Sequence, residues 1–168
     1  IEVLFQKKLF DHCHKMIRKA RKVAEKHERR LILLRLLKWE ISLQKEEGKY
    51  LKKSQQELKE LYEDEQRILA EYKQSMEYKF HNFNLLLLSR NKMVTSLNQE
   101  LDNYQDLLQT DVFQQPFGSL PLEDEIFVLG TKAMYHFARF DYPESKRNFE
   151  GIVKRLEQEP DRIFDFKD

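Results

Sequence analysis

A chain of 168 residues has the length of one compact domain or of an open stack of a few helical hairpins. Hydrophobic residues make up 40% and charged residues 35%, with only four Gly and four Pro, which excludes a turn-dense sheet protein; 12% aromatics supplies a core and excludes a disordered chain. The net charge of +1 hides an asymmetry, since residues 1–53 hold 16 Lys/Arg against 7 Asp/Glu, a balance of +9, and the rest hold 14 against 22, a balance of −8.

The expected class is all-α, built as antiparallel helical hairpins with long central helices. One domain is expected, with a basic hairpin at 1–48, central helices at 49–110, a loop at 111–121 and a last hairpin at 122–168. Ile1 is not a start methionine and no signal pattern follows it, so the numbering is expected to begin inside a longer polypeptide. The opening Ile1-Glu2-Val3-Leu4-Phe5-Gln6 resembles a viral 3C protease cleavage site, but Lys7-Lys8 follows in place of Gly-Pro, and it is read as native sequence. The longest apolar run, Leu85 to Leu88, is far short of the roughly 20 residues of a membrane span, so no membrane contact is expected.

Leu9, Cys13, Met16, Ile17, Ala20, Val23 and Ala24 fall at helical spacing among Lys, Arg and Glu, and predict an amphipathic helix. The polar run Lys26 to Arg30 predicts a turn. A second helix is expected from about Arg29 to Glu47, carrying Leu31, Leu34, Leu37, Trp39 and Ile41, with Gly48 as its stop. No Gly or Pro lies between Gly48 and Pro116, and Leu58, Leu61, Tyr62, Ile68, Leu69, Tyr72, Met76, Phe80, Phe83 and Leu87 form a stripe in steps of three and four. A long helix from about Ser54 to Lys92 is predicted, roughly 60 Å long if unbroken, with its stripe packed inside the molecule. Val94 to Leu108 reads as a shorter helix, 111–121 as a loop holding Pro116 and Gly118, and 122–139 and 143–157 as a hairpin. Asp141 before Tyr142-Pro143 marks the start of the last helix, and Pro160 closes it.

At this hairpin the sequence resembles the tetratricopeptide repeat, a helix-turn-helix unit of 34 residues. With Tyr142 at the aromatic turn position, Ala133 and Ser145 fall where the two helices need small residues and Phe149 where the second needs a large apolar one. Lys132 stands where the pattern has Leu, and His136 where it has Tyr. Phe10, Cys13, Ile17 and Ala20 match Tyr142, Ser145, Phe149 and Ile152 at one constant offset, so the same grammar opens the chain. The order of segments also resembles uncharacterised tetratricopeptide-like helical proteins of Bacteroidetes-type bacteria. That likeness rests on Ala20 to Ala24, Leu36 to Glu40, Leu120 to Leu122, Ala133 and Phe140-Asp141-Tyr142. The resemblance implies an α-solenoid fragment. It brings no activity, cofactor or catalytic residue.

Few residues have the types that chemistry needs. The single cysteine, Cys13, excludes an intrachain disulfide and a Cys-rich zinc site, and suits a reducing, cytoplasmic setting. In His12-Cys13-His14, neighbours on a helix diverge by about 100°, so the three do not converge on a metal. Glu63-Asp64-Glu65 and Glu123-Asp124-Glu125 fan outward in the same way, and no phosphate loop or nucleophile elbow is present. The strongest surface signal is basic: Lys15, Arg18, Lys19, Arg21 and Lys22, continued by Lys26, Arg29 and Arg30, crowd one helix and its turn. The expected function is a non-enzymatic scaffold that binds a protein or peptide. Nucleic acid or another polyanion on the basic helix is one alternative, and a homo-oligomer formed through the long helices is another.

Overall fold

The computed structural model describes residues 1–47, 51–90 and 94–162, excepting the side chains of 51–54, 90 and 94–100. Among the described residues there are seven helices and no strand: α1 (Glu2–Gln6), α2 (Phe10–Lys26), α3 (Arg30–Glu47), α4 (Leu51–Arg90), α5 (Val94–Leu108), α6 (Leu122–Ala138) and α7 (Tyr142–Gln158). They divide into two compact units, Ile1–Gln74 and Ser75–Asp168, with α4 contributing residues to both.

The first unit is organised by the amphipathic pattern of α2 and α3. Cys13, Ile17 and Ala24 of α2 meet Leu33, Leu36, Leu37 and Leu43 of α3, and Ile68 of α4 joins them. Phe5 holds α1 to this core, its ring 5.8 Å from Phe10 and 5.4 Å from Trp39. Five residues are too few to show a period, so α1 is invisible in the pattern and rests on that aromatic packing.

The second unit begins within α4. Tyr78 and Leu85 of α4, Leu101, Tyr104 and Leu108 of α5, Phe113 of the following loop, and Val128 and Tyr135 of α6 form its core. Tyr78 donates its hydroxyl proton to the Val112 carbonyl at 3.2 Å and stands edge-on to Phe113, which seats the loop between α5 and α6. α6 and α7 form an antiparallel hairpin, and α7 starts as its sequence predicts: Asp141 accepts the Glu144 N–H at 3.4 Å, with Pro143 in the first turn.

Three helix pairs, α1–α2, α2–α3 and α6–α7, share one three-residue turn. In each, a non-glycine residue takes the left-handed conformation: Lys8 at φ 55°, Glu28 at φ 53° and Phe140 at φ 61°. The next N–H then reaches back five residues, Leu9 to Leu4, Arg29 to Ala24 and Asp141 to His136, at 2.9, 2.8 and 2.9 Å. Each such residue carries a steric cost of about 1–2 kcal/mol that glycine would avoid.

The apolar stripe of α4 is a correction to the sequence reading. Tyr62, Leu69, Met76, Phe80, Phe83 and Leu87 are exposed, while Ile68, Ser75, Tyr78 and Leu85 are buried. Both sets recur at helical spacing. Ile68 belongs to the expected stripe and is buried, with Leu58, Leu61 and Tyr72 half-buried, but the inward set also includes a serine and a hydrogen-bonded tyrosine that hydrophobicity alone does not pick out. Gly48, expected to stop α3, and the expected extension of α4 to Lys92 lie outside the described residues.

Candidate functional site

The eight basic residues singled out at the start of the chain fall into two groups. Lys15, Arg18, Lys19, Lys22 and Lys26 are exposed on α2, and Arg29 is exposed in the turn that follows. Arg21 and Arg30 face inward. Arg30 is 8% exposed and stands 4.0 Å from Glu71.

Arg21 is the centre of a charged cleft in the first unit. Its guanidinium donates to Glu25 at 2.9 Å, to Glu40 at 3.1 Å and to Asp64, joining α2, α3 and α4. Arg67 donates to Asp64 and Glu71, both at 2.9 Å, and His14 meets Glu47 at 2.8 Å. The cleft has a volume of about 620 Å³. Burial would lower the pKa of Arg21, but its hydrogen bonds to Asp64 and Glu25 overrule that effect and raise it. Burial raises the pKa of Glu40 against the opposing charge of Arg21. Burial also acts to raise that of Asp64, yet hydrogen bonds from Arg67 and Arg21 hold it below its ordinary value. Charges so matched hold three helices together, and no nucleophile stands among them. Glu25 is an i,i+4 partner of Arg21 on α2 itself, whereas Glu40 and Asp64 lie on other helices, with no local signature to reveal them.

The same unit also has an apolar groove of about 620 Å³ between α2 and α3. Met16, Ala20, Val23 and Ala24 of α2 and Ile32 of α3 line it, together with Lys19, His27 and Arg29. Met16, Val23 and Ile32 are 47%, 60% and 47% exposed. The groove exists because Met16 and Val23 of α2 are left exposed beside its buried Cys13, Ile17 and Ala24, with half-buried Ala20 between them.

The residues expected at repeat-packing positions also divide. Cys13, Ile17, Ala133 and Ser145 are buried, and Phe10 and Ala20 are half-buried. Tyr142 and Phe149 are exposed. Tyr142 stacks edge-on against Phe137 and Phe140, at 5.8 and 6.4 Å, and forms an aromatic cluster on the hairpin turn.

Between α5, α6 and α7 the second unit has a polar cavity of about 460 Å³, lined by Gln105, Gln109, Gln114, Lys132, His136, Glu144 and Asn148 among others. Lys132 is half-buried, and burial pushes its pKa down. No described residue hydrogen-bonds or ion-pairs with its ammonium. His136 meets Asp141 at 3.1 Å, and Glu144 meets Arg147 at 2.6 Å.

The remaining candidates are spread out. Cys13 is fully buried, His12 is exposed and His14 is committed to Glu47. Glu63 pairs with Lys59 at 3.7 Å, Glu123 with Lys79 at 2.6 Å and Glu125 with Arg155 at 2.8 Å. Among the described residues no three His, Cys, Asp or Glu side chains converge as metal ligands, and no helix is long and apolar enough to cross a membrane. No family model, curated protein or solved structure matches the chain.

Proposed function

We propose that this chain is a non-enzymatic scaffold of the tetratricopeptide-like kind, and that the groove between α2 and α3 receives the apolar face of a partner helix. The groove carries the reading: Met16, Val23 and Ile32 are large apolar side chains left to solvent on one continuous surface. Its lining cations Lys19 and Arg29, together with exposed Lys22 and Lys26, favour a helix with acidic flanks. Small residues at Ala133 and Ser145, buried where α6 packs on α7, support the repeat-like reading of the last hairpin. Affinity capture with the wild-type chain and with Val23→Glu tests the proposal, since Val23 is exposed and its replacement leaves the core intact. A protein held by the wild type and released by Val23→Glu is the expected result. Capture indifferent to the substitution, or capture of no protein, overturns it.

A second reading rests on the exposed cations alone. Lys15, Arg18, Lys19, Lys22 and Lys26 present positive charge along one helix, as a surface for the phosphate backbone of nucleic acid does. It requires affinity for DNA or RNA that falls steeply with salt and is lost on Lys19→Glu with Lys22→Glu. Salt-insensitive or absent binding removes it.

A further inference from the structure

The polar cavity of the second unit contains a charge that the fold does not use. Lys132 of α6 lines the space between α5 and α7, where the residue is half-buried and its ammonium meets no partner among the described residues. Taking an ammonium out of water without a counter-charge is costly, and folded proteins commonly offset that cost by pairing the group. We infer that this cavity binds a small monocarboxylate, its carboxylate seated on Lys132 and its polar body against the amides of Gln105 and Gln109.

The other charges around the cavity define the valence of the ligand. His136 is committed to Asp141 and Glu144 to Arg147, which leaves Lys132 as the uncompensated charge among the lining residues. One free positive charge matches one negative charge. A phosphate dianion would bring a second negative charge into a cavity that the Glu144 carboxylate also lines, and a cation would meet Lys132 itself.

The walls define the rest of the molecule. Gln114 donates to the Leu108 carbonyl at 2.6 Å and Asn148 to the Glu144 carbonyl at 2.8 Å, so these two amides are partly occupied in shaping the cavity. The side chains of Gln105 and Gln109 make no hydrogen bond to described residues. An uncommitted amide offers both a donor and an acceptor. Two of them, four residues apart and facing the same space as Lys132, suit a carboxylate whose body carries an amide or hydroxyl. The volume of about 460 Å³ lies toward the small end of ligand pockets. This inference is independent of the groove on the first unit, and either stands without the other.

The test uses the full chain with ¹³C-labelled lysine, reading the Lys132 Cε resonance by NMR, with its assignment given by the Lys132→Met spectrum. Acetate and N-acetylglycine are the probes, beside the methyl ester of N-acetylglycine and inorganic phosphate. The expected result is a saturable shift with N-acetylglycine, weaker with acetate and absent with the ester, together with a higher ammonium pKa in the bound state. Isothermal titration then shows binding lost on Lys132→Met, kept on Lys132→Arg and weakened on Gln105→Ala with Gln109→Ala. No saturable shift with either carboxylate at about 10 mM overturns the inference. So does binding of the ester or of phosphate as tight as that of N-acetylglycine, or binding that survives Lys132→Met.

Discussion

Glu125 and Arg155 meet at 2.8 Å between α6 and α7, with 5% and 10% of their side chains exposed. The second oxygen of Glu125 accepts the Gly118 N–H at 2.5 Å, so one carboxylate ties the α5–α6 loop and the last helix to α6. Removing one member of a buried pair costs up to about 3–5 kcal/mol, and less here because Arg155 keeps Glu159 as a partner at 2.7 Å. Glu125→Ala is therefore expected to lower the denaturation midpoint sharply. The double replacement Glu125→Leu with Arg155→Met is expected to recover part of the loss, because no charge is left stranded. Chemical denaturation of the three proteins decides it, and a Glu125→Ala chain as stable as wild type would refute the argument.

Acid acts on the end of the same hairpin through Glu159. Burial works to raise its pKa, but hydrogen bonds from Arg155 and Arg162 lower it below its ordinary value of 4.5. Its stabilisation is present above pH 4.5 and is lost as the pH falls through the lowered native value. A Glu159→Gln chain is expected to be less stable than wild type at neutral pH, with the gap closing on the acid side of that window. Thermal melts across the range test this, and a gap independent of pH would count against it.

Two substitutions are expected to stabilise. Phe140 is 77% exposed and sits at φ 61°, so Phe140→Gly relieves backbone strain and is expected to gain about 1 kcal/mol. Gly151 lies inside α7, where an added Cβ would meet Leu129 at 3.4 Å, an ordinary contact. Gly151→Ala is expected to gain about 0.5–1 kcal/mol from helix propensity. A lower melting temperature in either case would show that the local backbone is not the limiting factor.

Arg21 and its neighbour Lys22 are expected to separate by experiment although the sequence places them together. Lys22→Glu changes an exposed side chain and should leave the melting temperature within a degree or two of wild type. Arg21→Glu sets a fourth carboxylate beside Glu25, Glu40 and Asp64 and should unfold the first unit or lower its midpoint by several degrees. Equal melts for the two variants would rule out an internal role for Arg21.

Most helix boundaries were legible in the sequence because their signals are local. The Asp141-Tyr142-Pro143 start, the turn after Lys26 and the limits of α5 depend on neighbouring residues alone. What could not be read were choices made across helices. The stripe of α4 is apolar, yet only the packing of α5 and α6 decides that Tyr78 and Leu85 turn inward while Phe80 and Leu87 do not. Likewise, the basic run does not reveal that Arg21 has carboxylates on α3 and α4. Lys132 was visible as a departure from the repeat pattern, but the cavity around it is formed by residues from three separate stretches of chain.

The turn shared by α1–α2, α2–α3 and α6–α7 has a kinetic consequence. Three residues close each pair, so helices that touch are also neighbours along the chain, and little loop entropy is lost before they meet. Contacts between sequence neighbours form on the microsecond-to-millisecond scale. Each hairpin is thus able to assemble soon after its second helix leaves the ribosome, ahead of everything that follows it in synthesis.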